Sequence, residues 1–229
     1  MKNFFASFLQ LIYPNVCVCC AGYLTHQEHQ ICDFCTYYLP KYEENDNLQN
    51  QLNKKFWGRL PLEFAVANYV LKEGNHIEKM LYEFKYNRNK TIGLMMGQAL
   101  GRLIESLNLA GRVDMIVPVP LHPKKEHIRG FNQAEIIARG MAEVLGLPVE
   151  KELLFRTKNN TTQTQKSRFS RHDSTAGIFS INHNLNVAGK CILLVDDVIT
   201  TGSTCINCGT EILKLNDVKL CVAVASVAQ

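Results

Sequence analysis

Across 229 residues there is no long hydrophobic run, no internal repeat and no low-complexity tract. A membrane-spanning helix needs ~20 consecutive apolar residues, and nothing here approaches that. An excess of one charge is also missing: 25 Lys+Arg against 21 Asp+Glu leave +4, too little for the overall field to demand a nucleic-acid partner. No secretory signal is recognisable. The stretch Met1 to Pro14 is interrupted by Ser7 and Gln10 and has no small-x-small cleavage site. Its apolar residues Phe4, Phe5, Phe8, Leu9, Leu11 and Ile12 predict instead a short helix that ends at Pro14.

Cysteine, by contrast, is plentiful. There are nine, an odd number, and five fall between Cys17 and Cys35. Without a secretory signal, that count argues against a disulfide framework and for a reducing cytoplasm with a metal site. Cys17/Cys20 and Cys32/Cys35 form two C-x-x-C pairs joined by eleven residues. Each pair can present two thiolates to one tetrahedral Zn2+, as in zinc ribbons and knuckles, and four ligands make the site structural. Cys19 is the odd one out and can replace a neighbour as ligand. His26 and His29 read as solvated loop residues. Cys205 and Cys208 form a further C-x-x-C, but within a helical pattern, and read as small packing residues.

Residues 41–60 are polar and amide-rich and read as a linker closed by Pro61. Beyond it, a strand is predicted over Phe64–Leu71 and helices over His76–Tyr86 and Thr91–Leu109. Val113 to His122 reads as a buried strand broken at its carboxyl end by Pro118 and Pro120. Lys124, Lys125, His127 and Arg129 follow, either as groups that neutralise an anion or as a solvated basic turn. Arg129-Gly-Phe-Asn-Gln133 then opens a helix. Leu153 to Arg156 is a candidate edge strand. Thr157 to Ser174, nearly free of apolar residues, is either disordered or a mobile cover for a site. Ile178 to Ile181 reads as a short strand, and Val218 to Val227 as the last one.

One stretch organises the rest: Cys191-Ile-Leu-Leu-Val-Asp-Asp-Val-Ile-Thr-Thr-Gly-Ser-Thr204. Ile192 to Val195 predict a strand buried on both faces, with Asp196 and Asp197 where it ends. Thr200 to Thr204 make a hydroxyl-rich, Gly-containing turn, and a helical pattern runs on to Leu215. Strand, tight turn and helix N-terminus point N–H groups at one spot, which suits a phosphate.

Residues 192–204 resemble the signature of type I phosphoribosyltransferases, which bind 5-phosphoribosyl-1-diphosphate (PRPP). The resemblance implies that Asp196 and Asp197 hold the ribose hydroxyls, directly or through Mg2+, and that Thr200, Thr201, Gly202, Ser203 and Thr204 cradle the 5-phosphate. It also implies a diphosphate loop at Pro118, Val119 and Pro120, with Arg129 nearby, and a flexible hood near 157–174. With the cysteine quartet, Val117-Pro-Val-Pro120, Arg129-Gly-Phe-Asn-Gln133 and Thr162-x-x-Gln165 with Arg171, nearly the whole chain is similar to the ComF family (competence protein F, also ComFC or GntX). Two positions depart from that pattern: Ser174 replaces a usual Asn, and Ala228-Gln229 a usual Arg-Thr.

The fold implied is α/β, a mostly parallel sheet flanked by helices. A zinc-ribbon-like module and linker occupy 1–60, and a phosphoribosyltransferase domain 61–229. Purine-salvage relatives carry an Asp three residues after the second acid; here that position is Thr200, which argues against purine salvage. Two function classes remain. One is a phosphoribosyltransferase with an unidentified acceptor, linked to DNA uptake. The other is a non-catalytic module that binds PRPP and single-stranded DNA beside DNA-uptake proteins, using the basic 151–171 segment with Phe155 and Phe169 as stacking candidates or as packing residues.

Overall fold

The computed structural model describes residues 14–42, 51–157 and 178–229. The expected helix over 4–12 and the polar segment from 158 to 174, with Thr162, Gln165, Phe169, Arg171 and Ser174, lie outside the described residues.

Four parallel strands form the central sheet: β1 (Phe64–Leu71), β2 (Met115–Pro118), β5 (Cys191–Ile199) and β6 (Lys219–Ala228), in the order β1-β6-β5-β2. A separate antiparallel pair, β3 (Leu154–Arg156) and β4 (Phe179–Ile181), stands beside it. β5 and β6 are apolar over most of their length because both faces are covered. Leu193, Val195, Cys221 and Ala223 pack in one layer with α2 (His76–Tyr86), α3 (Lys90–Ser106) and α5 (Gln133–Leu145). Ile192, Leu194, Val222 and Val224 pack in the other with α6 (Ser203–Ile212) and the β3–β4 pair. This is the α/β architecture the sequence predicts. Among the described residues, no helix is long and apolar enough to cross a membrane.

Helices α3 and α5 meet backbone to backbone. A Cβ placed on Gly97 would sit 2.1 Å from the Ile137 carbonyl oxygen, and one on Gly140 2.3 Å from that of Leu94. Glycine weakens a helix by about 1 kcal/mol relative to alanine; here it is what permits the crossing.

Four departures from the sequence reading stand out. β5 does not stop before the acids: it runs to Ile199 and carries Asp196 and Asp197 within it. The 41–60 stretch is not merely a linker: in its described part a helical turn over 51–54 and the turns after it bury Leu52, Phe56 and Leu60 in the second layer. The basic turn after β2 is a helix, α4 (Pro123–Arg129). Pro123 sits in its first turn, His122 Nδ1 accepts the Lys124 N–H, and Gly130 closes it at φ +80°. Finally, α3 ends at Ser106 rather than Leu109, because Asn108 adopts a left-handed φ of 56°.

Candidate functional site

In a regular strand, adjacent side chains point to opposite faces. Asp196 and Asp197 nevertheless line one cleft, because alternation breaks where they stand. Val195 and Val198 both pack with the first layer, and Ile199 with the second. The β5–β6 register passes from Asp196↔Val224 to Val198↔Ser226, and the β1–β6 register from Ala67↔Val224 to Tyr69↔Ser226, omitting Asp197 and Asn68. Side chains add hydrogen bonds to the backbone at this level. The Asp197 N–H donates to Asp196 Oδ1 at 2.9 Å and the Val198 N–H to Asp197 Oδ1 at 2.7 Å. The Ser226 hydroxyl donates to the Asp197 carbonyl at 3.2 Å.

The cleft encloses about 330 Å³ at the carboxyl ends of β5 and β2, where open parallel sheets bind their ligands. Its floor is the acid pair. One wall is the loop after β2, with Val119 and Pro120, and the opposite edge carries Thr200 and Thr204. Four cations line it: Lys85, Lys125, Arg129 and Arg156. Lys85 Nζ lies 2.7 Å from Asp197 Oδ2. Arg129 donates to Gln133 Oε1 at 2.8 Å. Asn132 caps α5 through the Ala134 N–H and donates to the Val119 carbonyl at 3.0 Å, which fixes the loop against the helix. Burial, and then the adjacent Asp197 charge, hold the Asp196 carboxyl well above the usual carboxylate range. A site with one acid of a pair raised and several cations lining the same cleft is arranged for a charged ligand.

Of the residues the sequence singled out, Asp196, Asp197, Val119, Pro120, Arg129, Thr200 and Thr204 line this cleft. Thr201 and Ser203 are exposed on the same loop, their hydroxyls 2.9 Å apart, and Gly202 turns it at φ +81°. Lys85 and Arg156 escaped the sequence reading. They lie 111 and 40 residues before Asp196 in the chain, and one sits in an ordinary amphipathic helix. Cys205 and Cys208 are buried packing residues of α6, as expected.

The four Sγ atoms of Cys17, Cys20, Cys32 and Cys35 all lie within 4.8 Å of one another, an arrangement able to hold a metal ion. Cys20 and Cys32 are 3.8 Å apart, and a tetrahedron of ~2.3 Å metal–sulfur bonds has edges of about 3.8 Å. The Cys32, Gly22 and Cys35 N–H groups donate to the sulfurs of Cys17, Cys20 and Cys32 at 3.3–3.4 Å. Burial alone would raise the Cys17 thiol; N–H groups of Cys32, Cys20 and Cys19 outweigh it and bring the pKa to about 6. Cys32 caps a short helix, α1 (Asp33–Tyr37), in which Cys35 is buried. Cys19 stands outside the quartet. Its sulfur lies against the His76 carbonyl of α2, and burial followed by the Cys17 charge pushes its thiol up to about 12. His26 and His29 are exposed in the loop.

No family profile matches the chain. Curated relatives do. The "DNA utilization protein YhgH" of Escherichia coli K12 is 29% identical over 153 residues, covering 65% of this chain and 63% of that protein. "Competence protein F" of Haemophilus influenzae is 24% identical over 197 residues, covering 82% and 86%. The chain is thus similar to proteins named for competence and for DNA utilization. Its match thus spans about 63% of the length of the E. coli relative. Among solved structures, adenine phosphoribosyltransferase of Saccharomyces cerevisiae, complexed with an imino-altritol bisphosphate and adenine, is similar with a TM-score of 0.41 and 16% identity, over 62% of this chain and 72% of that one.

Proposed function

We propose that the chain binds PRPP with Mg2+ in the β5–β2 cleft and transfers its phosphoribosyl group to an acceptor, in the service of DNA uptake. One observation carries this reading: two adjacent carboxylates and four cationic side chains line one cleft of about 330 Å³. A sugar bearing phosphates at both ends satisfies both charges at once. The names of the competence and DNA-utilization relatives support the biological setting.

In this reading Asp196 and Asp197 hold the ribose hydroxyls and are the residues that would hold Mg2+, which neutralises charge on the departing diphosphate. The Thr200 to Thr204 loop receives the 5-phosphate, on the edge where Thr200 and Thr204 reach the cleft. Val119 and Pro120, with Lys125 and Arg129, face the diphosphate. Breaking the C1–O bond builds positive charge on the ribose and negative charge on the leaving group; fixed acids below and cations opposite stabilise both. In the cysteine quartet, the S–S spacing and thiolate-ready Cys17 suit a structural Zn2+.

The test is calorimetry. PRPP should bind in the presence of Mg2+, and Asp196→Asn/Asp197→Asn should abolish the binding; unchanged affinity in that double variant refutes the site. Pyrophosphate release across candidate acceptors then identifies turnover.

A second reading, a PRPP- and single-stranded-DNA-binding module, is favoured by a different observation. Phe34, Tyr37 and Tyr38 beside the cysteine quartet are all strongly exposed, with ring centroids 4.7 and 5.0 Å apart. Exposed rings stack bases without regard to sequence. Phe155, exposed on β3, is also free to stack. Single-strand affinity that falls with salt and with Tyr37→Ala/Tyr38→Ala, without pyrophosphate release, would favour this module over the enzyme.

A further inference from the structure

Lys55 lies in the stretch between the cysteine module and β1, 145 residues from the loop after β5, yet its Nζ donates to the Thr200 carbonyl at 2.5 Å. The contact is held in place from below. Leu52 and Phe56 flank Lys55 in sequence and are both 2% exposed in the second layer. The stem of Lys55 lies over the turn itself: a Cβ on Gly202 would meet Lys55 Cβ at 3.4 Å.

The peptide geometry gives this contact a consequence. All described peptide bonds are trans, so a carbonyl and the N–H that follows it point in opposite directions. With its carbonyl drawn toward Lys55, Thr200 leaves the Thr201 N–H aimed the other way. Among the described residues, the Thr201 and Gly202 N–H groups donate to no backbone carbonyl. Among the same residues, the Ser203 N–H is engaged only by the Thr201 hydroxyl, at 3.4 Å. A loop with free N–H donors receives an anion well only if its carbonyls face elsewhere. The ammonium also adds a full positive charge to the loop.

We propose that Lys55 is a positioning residue of the phosphate loop: it locks the Thr200–Thr201 peptide with the carbonyl outward and the N–H turned to the anion. This rests on the PRPP reading of the cleft and adds to it a residue from outside the strand–turn–helix segment.

The experiment compares three ligands, each with Mg2+, by calorimetry: PRPP, ribose 5-phosphate and pyrophosphate. Lys55→Met should weaken PRPP and ribose 5-phosphate about tenfold, the worth of one charge-assisted hydrogen bond. Pyrophosphate, which does not use this loop, should change by less than about twofold, and Lys55→Arg should recover most of the loss. A thermal midpoint on the same samples checks folding, with Lys55→Gln as the substitute should Lys55→Met not fold. Equal affinities for ribose 5-phosphate in wild type and Lys55→Met, or an equal fall for pyrophosphate, overturn the role of Lys55 and leave the PRPP reading standing. Failure of the wild type to bind PRPP or ribose 5-phosphate overturns both.

Discussion

Lys85 Nζ sits 2.7 Å from Asp197 Oδ2, and the two side chains are 18% and 14% exposed. Asp197 therefore enters the cleft already paired, while its neighbour Asp196 has no cation of its own within salt-bridge distance among the described residues. Removing the lysine strands a mostly buried carboxylate. Lys85→Met should cost about 1–3 kcal/mol of stability, discounted from a fully buried pair for the remaining solvent contact. Asp197→Asn in the same chain should return part of that loss. A denaturant double-mutant cycle measures the coupling, and strictly additive effects would show that the pair is not a pair in solution.

Asp196 carries a pH signature. Its proton leaves the unfolded chain near pKa 3.8 but is held to higher pH in the folded chain, by burial first and by the Asp197 charge second. Between those values the folded state binds more protons than the unfolded one, so stability falls as pH rises. Asp196→Asn removes this term. The variant should be more stable than wild type at pH 7, and that advantage should vanish at pH 3. Urea melts at the two pH values check it. A variant destabilised at both would contradict the assignment.

The glycine crossing of α3 and α5 tolerates no side chain. Gly97→Ala should destabilise by about 2–4 kcal/mol, although alanine is the better helix former, because the methyl group meets a backbone oxygen that cannot swing aside. Gly111, with open space around its Cβ position, is the control and should change stability by less than about 0.5 kcal/mol.

For the cysteine module, elemental analysis should find one zinc per chain, retained by Cys19→Ser and lost in Cys32→Ser/Cys35→Ser. Retention in the double variant would remove the quartet as the metal site. Loss in Cys19→Ser would return the fifth cysteine to the ligand set.

Most of the strands and the cleft's acids were legible because they rest on local signals. β1 and α2 fall on the predicted residues, Phe64–Leu71 and His76–Tyr86, since apolar period alone defines them. The cysteine quartet was legible from spacing. What stayed hidden depends on distant packing. Lys85 looks like any last-turn lysine until β5 is laid beside α2. Lys55 looks like linker until Leu52 and Phe56 are seen in the core. The run of β5 past its acids rests on pairing with β6, which no local pattern shows. The Leu52, Phe56, Leu60 spacing was available in the sequence, diluted by the amides around it.

Helix α2 touches both chemically distinct parts of the molecule. In its first turn, the His76 carbonyl and the Lys79 ammonium meet the sulfur and carbonyl of Cys19, inside the cysteine loop. In its last turn, Lys85 meets Asp197. Nine residues at 1.5 Å separate the ends, about 14 Å of stiff rod. A loosened cysteine loop would therefore shift the pivot of a lever whose far end carries the counter-charge of the acid pair. Metal content and ligand affinity need not be independent properties of this chain, and chelation that weakens PRPP binding while leaving the β-sheet signal intact would be the mark of that linkage.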